Sequence, residues 1–193
     1  MKRLLKRNEL YSLFLPEACL FDLDGLLLNT EPLHGEAWAK VAESFGQKLS
    51  ENQLLELRGR RRIECAEQIN HWLSAPVGRE KILSVHEPIS KKLLKNSKPM
   101  PGAKELISFC VDTKMPMALV TSSSEKSLAF KSSPHPWLNQ IQIRIHGDDK
   151  ELALGKPAPD PFLLAAKRLN VNPKECWALE DSKSGAISAQ KAG

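Results

Sequence analysis

The spacing of apolar and polar positions divides the chain into two kinds of territory. "ACLFDLD", Ala18 to Asp24, is a short apolar run closed by acids and a glycine, the pattern of a buried strand. From Glu31 the period lengthens. Leu33, Ala37, Trp38, Val41, Ala42 and Phe45 recur at helical spacing, with Pro32 suited to a first turn and Gly46 to a stop. Ser50 opens "SENQ", a capping box that predicts a second helix. "RIECAEQINHWL" and "REKILSVHEPISKKLLKN" continue the helical period, with a break or kink expected at Pro88. Trp38 and Trp72 fall among the apolar positions of these helices and read as core residues. Between Glu31 and Asn96 no convincing strand pattern occurs, and "KPMPG" then punctuates the chain.

Beyond that punctuation the two periods alternate. "AKELISFCVDT" reads as a helix and "MPMALVTSSS" as a strand ending in hydroxyls. "EKSLAFKSS" is a short helix, "IQIRIHG" a strand, "DPFLLAAKRLN" a helix, "CWALEDS" a strand and "SGAISAQKAG" a final helix. Strands alternating with helices predict an α/β fold with a parallel sheet. The expected organisation is a basic N-terminal extension over 1–17, a core built from 18–30 and 97–193, and a helical insert over 31–96.

Composition narrows the class without changing that picture. The chain has 193 residues, 41% hydrophobic and 26% charged, which suits a packed globular domain carrying an insert. No apolar run approaches a membrane span. The net charge of +5 is mild; it suits anionic ligands and is no argument for nucleic acid. Cys19, Cys65, Cys110 and Cys176 form no CxxC pair, which argues against a zinc site or a disulfide framework and for a reducing, cytoplasmic compartment. "MKRLLKRNELYSLFLP" is basic and then apolar, without a long uncharged stretch or a small-residue cleavage site. It reads as a short amphipathic leader helix, with targeting or membrane-surface attachment as the alternative.

The chemistry gathers at strand ends. Ligands of open parallel sheets bind beyond the carboxyl ends of the strands. There the first strand carries Asp22 and Asp24, a second Thr121, Ser122 and Ser123, and a later one Glu180 and Asp181; Lys156 lies in the loop "GKPAPDPF". Four acids in a dry cleft repel one another. A hard divalent cation relieves this, and Mg²⁺ needs few carboxylates and clamps phosphate oxygens. One aspartate can attack phosphorus while the other exchanges a proton. Thr121 and Ser122 can donate to phosphoryl oxygens beside a helix start, and Lys156 supplies fixed positive charge. Each residue alone has an ordinary explanation as a turn, cap or surface group; the joint pattern carries the chemistry.

"DLDGLLLNTE", "VTSSS", "GKPAPDPF" and "LEDSKSG" together resemble the four motifs of the haloacid dehalogenase (HAD) superfamily, in the right order, with the helical insert in the C1-cap position. The β-phosphoglucomutase-like branch is the most similar, over about Cys19 to Gly193. The resemblance implies a parallel-sheet, Rossmann-like core with an inserted α-helical cap. It also implies a role for each matching residue. Asp22 would be the nucleophile that forms an aspartyl-phosphate, and Asp24 the general acid/base. Thr121 and Lys156 would orient the phosphoryl group. Mg²⁺ would be held by Asp22, the backbone carbonyl of Asp24 and Asp181, with Glu180 in or just behind that shell. The Asp-x-Asp pair suits phosphoryl transfer and is not carried by the family's dehalogenases.

In the insert, Arg58, Arg60, Arg61 and Arg62 crowd around Gly59 just before a helix. An arginine can grip phosphate or carboxylate with two parallel hydrogen bonds. A solvated or acid-paired loop and a substrate loop both fit. A nucleic-acid surface fits less well, since the cluster is local and aromatic residues are only 6%. By resemblance, Arg58 and Arg62 match a loop that reads the far end of the substrate, and His34 matches a cap histidine that helps gate acid/base chemistry. Where the mutases carry a phosphate-holding lysine after the motif threonine, this chain has Ser124. That departure favours a phosphatase acting on a small phosphorylated metabolite, a sugar phosphate in the first instance. A β-phosphoglucomutase and a non-catalytic binding protein on the same fold are the alternatives. Family members continue with at least one more strand beside "CWAL", so an unprotected sheet edge and a shortened C-terminus are also expected.

Overall fold

The structure is a computed structural model that describes residues 15–58 and 60–193. The expected leader helix lies largely outside the described residues. Six strands occur among them: β1 (Ala18–Phe21), β2 (Leu28–Asn29), β3 (Lys98–Pro99), β4 (Met117–Val120), β5 (Ile143–Ile145) and β6 (Cys176–Leu179). The helices are α1 (Glu31–Ser44), α2 (Glu51–Leu57), α3 (Arg62–Trp72), α4 (Arg79–Leu94), α5 (Ala103–Asp112), α6 (Glu125–Ser132), α7 (Asp160–Leu169) and α8 (Lys183–Ala192).

The main sheet has the order β5-β4-β1-β6, and every pair is parallel. All four residues of β1 are buried, which explains its unbroken apolar run: it has a strand on each side and helices on both faces. Its side chains alternate between two cores. Cys19 and Phe21 join Leu119, Ile107, Cys110 and Leu128 on one face. Leu20 joins Ala118, Val120, Ile145, Phe162 and Ala165 on the other. At the sheet edge, β6 pairs only with β1 among the described strands, and Trp177 is largely exposed.

Helices α1 to α4 form the insert, with their own core of Trp38, Val41, Ala42, Ala66, Ile69 and Ile82. The capping box at the start of α2 forms as expected: Gln53 N donates to Ser50 Oγ at 3.3 Å, and Ser50 N donates to Gln53 Oε1 at 2.9 Å. α4 runs through Pro88 without a break. One backbone hydrogen bond is forfeited there, but the helix buries Ile82, His86, Ser90 and Leu94 along one side, and that packing outweighs the local defect. The antiparallel β2–β3 pair has no counterpart in the periodicity, since two residues are too few to show one. It ties together the points where the chain leaves and re-enters the core, at Leu28↔Pro99 and Asn29↔Lys98.

Candidate active site

Strand register brings the polar residues together. β1 ends at Phe21 beside Leu119 and Leu179, so the residues that follow each strand emerge at one edge of the sheet. The first group is centred on Lys156, which is buried. Its Nζ donates to Asp22 Oδ1 at 2.6 Å, to the Val120 carbonyl at 2.8 Å, and to Glu180 Oε1. The other oxygen of Glu180, Oε2, accepts from Ser182 Oγ at 3.0 Å and from Ser182 N at 3.3 Å. Ser182 also caps α8 by accepting from Gly185 N at 3.0 Å. A Cβ at Gly185 would lie 1.9 Å from Glu180 Oε1, so only glycine admits the carboxylate here.

Asp22, Glu180 and Asp181 form the one acidic cluster of metal-site size among the described residues, with one oxygen from each within 4.8 Å of the others. Burial pushes the Asp22 carboxyl up to about 7, Lys156 pulls against that, and Glu180 and Asp24 add to the rise. Burial also raises Asp181, with Glu180 and Asp24 adding to it. Glu31 is raised to about 7, first by burial and then by Asp24 and Asp181. On Lys156, burial disfavours the charge, but Asp22 and Glu180 outweigh it and raise its pKa. Three crowded carboxylates with hard oxygen donors and a single lysine between two of them fit a hard divalent cation such as Mg²⁺. Gly25 belongs to this arrangement: its φ is +90°, and a Cβ there would fall 2.1 Å from Asp181 Oδ2.

Asp24 lies in a second group. Its Oδ1 accepts from Thr30 Oγ1 at 2.5 Å and lies 3.3 Å from His34 Nε2. Its Oδ2 accepts from Ser123 Oγ at 3.1 Å and pairs with Lys131. Burial pushes this carboxyl up, yet Lys131 and His34 outweigh burial and hold it well below the usual carboxylate range. Both of its carboxylate oxygens are thus held by this second group, and Asp24 is not among the three acids of the metal-sized cluster. Thr121 is buried between the groups, with its Oγ1 accepting from Ser123 N at 3.1 Å. Ser124 caps α6 through Ser127 N at 3.3 Å.

A cleft of about 1180 Å³ separates the inserted helices from the sheet edge. Asp22, Asp24, Ser122 and Lys156 open onto it from the core, and His34, Arg58 and Arg62 from the insert. Arg58 Nε lies 3.7 Å from Glu31 Oε2, and Arg61 Nε donates to Glu64 Oε1 at 2.9 Å, so part of the arginine cluster is paired with acids. Sequence reasoning missed Thr30, Ser123 and above all Lys131 as parts of the Asp24 group. The available signal was position: Lys131 shares the buried side of α6 with Leu128 and Ser132, where a charged residue is out of place.

The family model described as haloacid dehalogenase-like hydrolase matches residues 19–193. The chain belongs to this family. A Drosophila melanogaster protein named as a probable pseudouridine-5'-phosphatase is 34% identical over 179 residues, covering 91% of this chain and 78% of that protein. A Thermotoga maritima phosphorylated carbohydrates phosphatase is 32% identical over 178 residues, covering 92% and 82%. The fold is shared with a β-phosphoglucomutase from Clostridium difficile, with a TM-score of 0.80 at 24% identity, covering 92% of this chain and 82% of that one. As a family member with phosphatase relatives, the chain is a hydrolase of the phosphatase type. The inserted helices occupy the cap position of the Rossmann-like HAD core. Among the described residues no helix is long and apolar enough to cross a membrane.

Proposed function

We propose that this chain is a Mg²⁺-dependent phosphatase of small phosphorylated metabolites, sugar phosphates among them, working through an aspartyl-phosphate on Asp22. The observation that carries this reading is the Lys156 bridge: one buried ammonium bonds both Asp22 and Glu180 at the edge of the sheet, beneath the cleft. The relatives whose names specify phosphorylated substrates support the substrate class. The four free cysteines support a reducing, cytoplasmic setting.

Asp22, Asp181 and the backbone carbonyl of Asp24 would hold the cation, with Glu180 beside them; bound there, it would neutralise phosphate and carboxylate charge. Asp22 attacks phosphorus and the bond to the leaving oxygen breaks; Asp24, ionised at rest, takes up a proton as the negatively charged ester enters the cleft and gives it to that oxygen. Water then attacks phosphorus, Asp24 takes the water proton, and the Asp22 carboxylate is released with inorganic phosphate. His34, 3.3 Å from Asp24 Oδ1, is placed to exchange that proton with it. Lys156 keeps the attacking carboxylate oriented, and Thr121 and Ser122 border the phosphoryl position.

The test is phosphate release from a panel of phosphate esters, with and without Mg²⁺, for the wild type and Asp22→Asn. The reading expects Mg²⁺-dependent release that Asp22→Asn abolishes. Undiminished release by that variant refutes the nucleophile assignment, and recovery of an isomerised phosphate ester in place of the free alcohol would mark a mutase.

A further inference from the structure

Lys131 is the most unexpected charged residue in the chain. It lies in the last turn of α6 and is 0% exposed. It comes from none of the four motif segments and does not line the cleft. Its Nζ pairs with Asp24 Oδ2 and donates to Ser123 Oγ at 2.6 Å, while Ser123 Oγ itself donates to Asp24 Oδ2 at 3.1 Å. The three groups close a triangle around one carboxylate oxygen. The other oxygen, Oδ1, is bound from the opposite side by Thr30 and His34, at the root of the insert.

We propose that Lys131 is a positioning residue for proton transfer by Asp24, fixing that carboxylate both directly and through Ser123. The proposal rests on the phosphatase reading above. The physical argument starts from cost. An ammonium withdrawn fully from water is unfavourable unless it is paired and hydrogen-bonded, and packing α6 against the sheet needs an apolar side chain here, not a charge. The charge is placed where it restrains the one carboxylate that faces both core and insert. A carboxylate free to turn about its terminal bond spends little time aimed at a leaving oxygen; one anchored at Oδ2 keeps a fixed orientation. Lys131 never needs to reach the substrate, and its effect is transmitted through Asp24 alone.

Leaving-group dependence separates this role from simple support of the fold. p-Nitrophenyl phosphate releases a weakly basic phenolate that departs without much protonation, whereas phenyl phosphate needs the proton. The value of kcat/KM, which reports the first phosphoryl transfer, is measured for both esters in the wild type, Lys131→Gln, Ser123→Ala, Asp24→Asn and the Lys131→Gln/Asp24→Asn double variant. Thermal midpoints are recorded alongside. General acid catalysis is worth about 10²- to 10⁴-fold. Lys131→Gln is therefore expected to lower kcat/KM for phenyl phosphate at least about tenfold further than for p-nitrophenyl phosphate. Ser123→Ala should do the same more weakly, and in the Asp24→Asn background Lys131→Gln should add no further leaving-group discrimination. An equal fall on both esters, or discrimination that persists without Asp24, overturns the proposal. If Lys131→Gln does not fold, Ser123→Ala decides: discrimination supports the proposal, and an equal change or none refutes it. Failure of the wild type to hydrolyse either ester would instead refute the phosphatase reading.

Discussion

At the residue scale, burial decides which charges carry information. Asp22, Asp24, Lys131 and Lys156 hold one another in place because none could be left alone at its depth. His86 shows the same physics without a partner. Its ring stacks on Trp38 with centroids 3.7 Å apart, and neither ring nitrogen has a hydrogen-bond partner among the described residues. Burial, with His34 and Arg62 nearby and only Glu87 opposing, lowers its pKa to about 3. The neutral ring is thus favoured in the fold, while the unfolded chain takes up a proton below about 6.5. Stability from this group is intact above that value and declines as pH falls toward 3, by about 2 kcal/mol at pH 5. Asp22 and Glu31, whose pKa values are raised, act in the opposite direction, so the comparison must be with a variant. Urea unfolding of His86→Gln should show a smaller loss between pH 7 and pH 5 than the wild type; equal losses would dismiss the role of His86.

At the element scale, strand ends and the loops behind them build the site. The apolar run before Asp22, the hydroxyls after β4 and the acids after β6 were legible because a buried parallel strand has a distinct pattern and its carboxyl end is where ligands bind. Lys131 was not legible: helices are full of lysines, and only the packing of α6 shows that this one faces inward. At Pro88 local propensity favours a break, yet α4 continues through it, its buried side packed into the core of the insert. The turn at Gly25 carries a prediction of its own. Gly25→Ala combines a positive φ, costing about 1–3 kcal/mol, with a Cβ placed 2.1 Å from Asp181 Oδ2. It should lower the thermal midpoint and raise the Mg²⁺ concentration needed for half-maximal activity. An unchanged Mg²⁺ requirement would show that Asp181 takes no part in the metal site.

At the scale of the whole molecule, the cleft sets what can be bound. Its floor is the acidic and basic edge of the sheet, and its roof is the inserted helices, with Arg58 and Arg62 facing in. The four motif segments and the insert were readable from the sequence, which is why the fold class was. The pairing of Arg58 with Glu31 was not, because residues that distant in sequence become neighbours only after folding. We propose that Arg62, which lines the cleft, binds the far side of the substrate; Arg62→Ala should then raise KM about 10- to 100-fold with little change in kcat, the magnitude of one lost charged hydrogen bond. A fall in kcat at constant KM would move Arg62 from substrate binding to the chemical step.

The central claim is that phosphorus is transferred to Asp22. Asp24→Asn should slow hydrolysis of the phosphorylated enzyme, so acid quenching during turnover of p-nitrophenyl phosphate with Mg²⁺, followed by peptide mass mapping, should find the phosphoryl group on Asp22. Turnover with no such adduct, or an adduct on another residue that survives Asp22→Asn, would contradict the account.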